Sequence, residues 1–208
     1  MPLETILLFF LADLAICLTP GPATAVTASY AARGGVRGAL GPIAGIHIGN
    51  FIWYALSAFG LLALATTAPD IYTAIRWAGV VYLLWMGWRM IAKAPAPLEA
   101  SREQRNTGFW PGFGSGLAVH MSNPKAMLFY VSFLPQFIDP ALPIAFQILV
   151  FAGLTLISES VGLFTYASIT ASAQRIADKR FASFSFDRIA GSVLIAVALI
   201  MAALNSWG

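Results

Sequence analysis

The sequence predicts an all-α integral membrane protein of six transmembrane helices, arranged as two inverted three-helix repeats with the first helix of each half broken. Three observations carry this. Hydrophobic residues make up 59% of the 208 residues and charged ones 10%, against about 25% charged in soluble domains, and mean hydropathy is +0.77. Six apolar stretches reach the roughly 20 residues needed to cross a bilayer. Helix-breaking signatures recur half a chain apart, Thr19-Pro20-Gly21-Pro22 and Ser122-Asn123-Pro124-Lys125, with 104 residues from Pro20 to Pro124.

The first segment runs from Leu3 to Ala32. It has no basic leader, since Met1-Pro2-Leu3-Glu4 carries only an acid, and Ala23-Thr24-Ala25 is a poor cleavage site, so an uncleaved helix is expected. Gly34-Gly35, between Arg33 and Arg37, marks the first turn. The second segment, Ala39 to Thr67, carries Gly41, Gly45 and Gly49 at four-residue spacing, and the third runs from Ile71 to Ala92. The charged, proline-containing stretch that follows makes residues 93–109 a cytoplasmic linker between a first repeat, 1–92, and a second, 110–208. The fourth segment, Trp110 to Phe137, opens with a matching ridge, Gly108, Gly112 and Gly116, and contains the second break. The fifth spans Leu142 to Ser172 and the sixth Phe186 to Asn205. Such ridges let helices approach closely, and exposed ones permit a homodimer.

Orientation follows from the basic residues. Arg33 and Arg37 lie in loop one, Arg89, Lys93, Arg102 and Arg105 around loop three, and Arg175, Lys179, Arg180 and Arg188 around loop five. By the positive-inside rule the odd loops are cytoplasmic and both termini face outward. Three helices per half then make the second half enter from the opposite side.

Pro20 and Pro22 remove two backbone donors around the flexible Gly21. Carbonyls of the preceding turn lose their partners, and the half-helix that begins near Ala23 offers N–H groups and a positive dipole end to an anionic ligand. The alternative is a kink satisfied by neighbouring helices. Lys125 is costly at this depth, about 2.5–3.5 kcal/mol; it either neutralises a substrate carboxylate or pairs with Asp13 or Glu159. Asp13 lies near mid-bilayer in the first segment and Glu159 deep in the fifth, so a proton-responsive site is expected, a structural ion pair being the alternative. His47, Asn50 and Tyr54 share one face of the second helix at i, i+3, i+7, with His47 either an interhelical hydrogen-bonder or a proton carrier. His120, four residues before Pro124, is placed to bond carbonyls freed by that break.

Soluble-type enzymology has no signature here. GxxxxGK[ST], HExxH and CxxC are absent, and Gly114-Ser115-Gly116 is not a GxSxG elbow. A single cysteine, Cys17, excludes an internal disulfide or a two-thiol relay, and two histidines argue against a transition-metal relay. No cofactor, catalytic residue, metal site or nucleic-acid partner is expected.

The residues Leu18-Thr19-Pro20-Gly21-Pro22, Gly34 to Gly38, Gly49-Asn50, Gly79 with Tyr82-Leu83, and Asn123-Pro124-Lys125 followed by Phe133-Leu134-Pro135-Gln136-Phe137 resemble the LysE/RhtB family of bacterial amino-acid exporters over nearly the whole chain. The resemblance implies secondary active efflux of amino acids or their derivatives across the cytoplasmic membrane, driven by the proton motive force. One departure is Ala23, where many members carry an acid or amide after Pro-Gly-Pro. The expected mechanism is proton antiport by alternating access about a midplane cavity formed by the two breaks. Pro20, Gly21, Pro22, Asn123, Pro124 and Lys125 would bind the carboxylate end of the substrate, Asn50, Tyr54 and Glu159 its ammonium or polar end, and Asp13, Glu159 and His47 would handle the proton. Alternatives are an exporter of another small solute such as a metal cation, a non-transporting membrane scaffold, or a membrane redox enzyme, the last disfavoured by the lone cysteine.

Overall fold

The computed structural model describes residues 1–92, 108–173, 192, 194–200, 202 and 203. Among these the chain is helical with short connections. In order come α1 (Leu3–Leu18), α2 (Pro22–Gly38), α3 (Leu40–Thr67), α4 (Pro69–Ala92), α5 (Phe109–Met121) and α6 (Pro124–Leu128). A π-helical turn (Phe129–Phe133) and a 3-10 turn (Leu134–Gln136) follow, and then α7 (Ile144–Ala173). Residues 194–200 are helical and fall within the sixth expected segment, whose remaining ends lie outside the described residues. So do residues 93–107 of the linker and the basic cluster of loop five.

Proline sets most of the boundaries. It opens α2, α4 and α6 at the first helical position, where its missing N–H would be unpaired in any residue and its φ suits the helix. At Pro20 and Pro22 the same property ends α1 and re-aims the chain: α1 and α2 are bent by 54°. The reversal from α2 into α3 occurs at Gly35, whose φ of 63° lies in the region glycine enters without steric cost.

Many large apolar side chains face outward while a set of polar ones is buried, as suits a protein whose solvent is hydrocarbon. On α7, Leu149 is 72% exposed and Ile157 and Val161 are exposed as well, while Thr155, Ser158 and Glu159 are buried. On α1, Leu7 and Leu11 are exposed and Asp13 is 1% exposed. Among the described residues, α7 is long and apolar enough to cross a membrane over Ile144–Ser172, and α1 with α2 qualifies as a bent pair. The remaining helices coincide with the expected segments to within a few residues.

Two helix pairings dominate the packing: α3 lies along α5, and α7 along α1 and α2. The first is a meeting of glycine ridges. A Cβ on Gly41 or Gly45 would strike the backbone carbonyls of Phe109 or Phe113, and one on Gly112 would come within 2.7 Å of Pro42. The ridges are therefore used within the chain rather than displayed, and Gly108 stands outside this contact, its missing Cβ facing only Pro111. The second core is aromatic. Phe9 of α1 contacts Phe151 of α7 at a ring distance of 4.3 Å and Phe137 at 5.3 Å, with Phe133 and Phe129 stacked alongside.

Gly45→Ala should lower the detergent melting temperature by several degrees, since a methyl group against a rigid carbonyl costs about 1–3 kcal/mol. Gly114→Ala, where nothing lies within 4 Å of the new Cβ, should be neutral or slightly stabilising; equal effects of the two would remove the close-approach argument.

Candidate functional site

At the first break the Ile16 carbonyl keeps one backbone donor, the Thr19 N–H at 3.1 Å. In a continuous helix the N–H of residue 20 would bond the carbonyl of Ile16, and that of residue 22 the carbonyl of Leu18; both residues are proline. Lys125 Nζ donates to Ile16 O at 2.6 Å and to Thr19 O at 3.1 Å, and Tyr166 Oη donates to Leu18 O at 2.8 Å. Thr19 turns its own hydroxyl back to Ala15 O at 2.9 Å. The Cys17 carbonyl rests on Gly162 of α7, where a Cβ would approach to 2.6 Å. The freed backbone of the first half is thus satisfied largely by side chains of the second.

On the other side of the break Gly21 caps α2. Its N–H donates to Thr24 Oγ1 at 2.7 Å, and the same hydroxyl donates to Gly21 O at 2.8 Å. Ala25 N–H begins the regular ladder at Gly21 O, so helix geometry leaves the amides of Ala23 and Thr24 without intrahelical acceptors. At the second break Asn123 Oδ1 accepts from the Lys125 N–H at 3.0 Å and starts the short α6, which directs the lysine side chain toward α1.

Both breaks line one cavity with ≈ 530 Å³ of empty space, counting its open mouth. Of the residues singled out from sequence, Asp13, Gly21, Asn50, Asn123, Lys125 and Glu159 face it. Pro20, Pro22 and Pro124 are not among the residues that line it. His47 and Tyr54 stand behind Asn50, around a smaller neighbouring cavity of ≈ 160 Å³ that Asn50 shares.

The polar stripe of α3 meets α7. Asn50 Nδ2 donates to Glu159 Oε2, and Tyr130 Oη donates to Asn50 Oδ1 at 2.7 Å. His47 Nδ1 lies 3.5 Å from Glu159 Oε2, an ion-pair distance without a hydrogen bond, while its Nε2 is 3.1 Å from Ser160 Oγ. Tyr54 and Thr155 share a hydrogen bond of 2.7 Å. Two buried groups facing the cavity lack hydrogen-bond partners, Asp13 Oδ2 and both ring nitrogens of His120. His120 packs its ring on Gly49, where a Cβ would come within 2.7 Å, and leaves the freed carbonyls of its own break to the backbone, with Asn123 N–H on His120 O at 3.2 Å. The remaining wall is apolar, formed in large part by Ile16, Phe129 and Leu163.

Sequence reading passed over Thr155, Gly162, Tyr166, Tyr130 and Thr24. Three of these carried a usable signal: Thr155, Glu159, Gly162 and Tyr166 follow i, i+4, i+7, i+11 and so share a helix face. Tyr130 had none, because it belongs to a π turn whose period departs from that of the α-helix.

Comparison with known proteins places the chain among membrane efflux proteins by sequence. An uncharacterized membrane protein of Vibrio cholerae is 27% identical over 205 residues, covering 97% of this chain and 98% of its own. A homoserine/homoserine lactone efflux protein of Salmonella typhimurium is 30% identical over 172 residues, 81% of this chain and 80% of its own. A leucine efflux protein of Salmonella choleraesuis is 33% identical over 128 residues, 62% of this chain and 60% of its own. No solved structure matches the chain. The model of the LysE type translocators matches residues 14–204, both breaks included, and the chain belongs to that family.

Proposed function

We propose that the chain is a secondary active exporter of amino acids or their derivatives across the bacterial cytoplasmic membrane, exchanging them for protons by alternating access. The observation that carries this reading is that two backbone breaks 104 residues apart in sequence line one cavity together with Lys125, Asp13 and Glu159. Interrupted helices and ionisable groups are expensive in hydrocarbon, and in transporters they mark the substrate and ion sites.

Six spans in two inverted halves, 1–92 and 110–208 joined by 93–109, fit the packing. Exchanging the halves maps α3 on α5 into α7 on α1 and α2, and these are the two main pairings. Both termini then face outward and the odd loops the cytoplasm. The named relatives move leucine, homoserine and homoserine lactone. These share a primary α-ammonium group, and the lactone lacks a free carboxylate.

In this reading the substrate carboxylate, where there is one, faces Lys125 and the first turn of α2, whose amides and dipole are positive. The apolar part lies against Phe129 and Leu163, the ammonium end lies on the α1 side with Asp13, and Asn50 and Glu159 take other polar groups of the substrate. Tyr54 braces this end through Thr155. Asp13 or Glu159 carries the exchanged proton, with His47 beside Glu159 as the route to it.

Counterflow of labelled leucine, homoserine and homoserine lactone in proteoliposomes, with and without an imposed pH gradient, is the direct test; no movement of any of them, in a panel extended to the other amino acids, ends the reading. Lys125→Ala should reduce amino-acid export about 10- to 100-fold, the loss of one charge-assisted contact, with the protein still inserted; full export would take Lys125 out of the mechanism. Glu159→Gln should abolish stimulation by the pH gradient while counterflow persists, and retained stimulation would assign the proton to Asp13.

A further inference from the structure

The Lys125 ammonium donates two hydrogen bonds to the backbone at the end of α1. Ile16 O at 2.6 Å and Thr19 O at 3.1 Å hold it by hydrogen bonds. These carbonyls lie at the C-terminal end of a sixteen-residue helix, which carries partial negative charge. Asp13, one turn earlier on α1 and 1% exposed, faces the same cavity with Oδ2 unpartnered. Carbonyls at such half-helix ends coordinate cations in secondary transporters. Here the cation is a primary ammonium, tethered to the chain.

We infer that this carbonyl pair is the subsite for the ammonium group of the substrate, and that Lys125 occupies it as a tethered stand-in until substrate arrives. The inference rests on the exporter reading and deepens it. A primary ammonium has three N–H donors in a compact head, and the site selects for that shape and charge. Lys125 is able to yield its place: it is only part-buried, its stem passes over Gly21 with Cδ 3.9 Å from where a Cβ would stand, and its four-carbon chain is flexible. An entering amino acid puts its own ammonium on Ile16 O and Thr19 O, and the displaced lysine turns to the carboxylate that arrives with it. The total charge against the α1 end is unchanged by the swap, so no uncompensated ion is left in the low-dielectric interior. A ligand without a carboxylate binds the same subsite but gains nothing from the displaced lysine.

Two measurements test this. Thermal melting of the purified Lys125→Met protein in detergent, with ethylammonium, tetramethylammonium or sodium chloride at equal ionic strength, reads the vacated site directly. Ethylammonium should raise the melting temperature by about 2 °C or more where the other two do not, and the wild type should show no such preference. Equal effects of all three salts, or stabilisation by sodium alone, would overturn the ammonium assignment. In wild-type proteoliposomes, leucinamide should inhibit leucine counterflow at least about tenfold more strongly than N-acetylleucine; the reverse order would also overturn it, and this arm holds even if the variant fails to fold. Ethylammonium binding to a protein that exchanges no amino acid would leave the subsite standing and remove the exporter reading. Leucine exchange by a protein whose variant shows no ammonium preference would do the opposite.

Discussion

The rest of the structure depends on how the broken end of α1 is satisfied inside an apolar surrounding. Two prolines within three residues strip partners from the Ile16 and Leu18 carbonyls, and an unpaired carbonyl in hydrocarbon costs several kcal/mol. Water cannot supply the missing donors at every position along a lipid-facing helix. Ile16 O retains the Thr19 N–H at 3.1 Å, and Lys125 and Tyr166, more than a hundred residues away in sequence, add donors to Ile16 O, Thr19 O and Leu18 O. Docking of the second half of the chain against the first therefore stabilises the break. Local instability in one element becomes a tertiary contact between two.

This dependence orders the packing around it. For Lys125 to reach α1, α6 must begin at the second break, and Asn123 sets that start by capping the lysine's own N–H. For Tyr166 to reach Leu18, α7 must lie against the end of α1, which Gly162 allows by lacking a side chain. The α3–α5 glycine contact brings Asn50 to the level of the cavity from the opposite side, where it meets Glu159 and Tyr130. Each ionisable group thus arrives at the cavity as a consequence of backbone geometry. The aromatic cluster of Phe9, Phe133, Phe137 and Phe151 packs α1 and α7 against the segment that follows the second break, and Phe129 belongs both to this cluster and to the cavity wall.

The arrangement also separates two chemistries in one space. Toward α1 the cavity offers carbonyls and carboxylates, which attract cations; toward the start of α2 it offers amides and a positive helix end, which attract anions. A zwitterion satisfies both ends at once. The same break produces both, because a helix cut in two presents a C-terminus and an N-terminus a few residues apart.

Much of this was legible in the residues alone. Apolar runs gave the helix positions to within a few residues, since hydrocarbon burial and helix length are properties of a segment by itself. Proline chemistry located both breaks, and the spacing of His47, Asn50 and Tyr54 placed them on one face, because the helical period does not depend on neighbours. What sequence left open was partnership. Lys125 had a substrate carboxylate, Asp13 and Glu159 as candidate partners, and the structure adds two backbone carbonyls, which carry no sequence signal because every residue has one. Glu159 bonds Asn50 rather than standing alone, and His120 rests on a glycine rather than on the carbonyls beside it. Composition and periodicity determined what each helix must hide from lipid; only the docking of one half on the other decided which hidden groups would meet, since that choice is made by distances between segments that the order of residues does not contain.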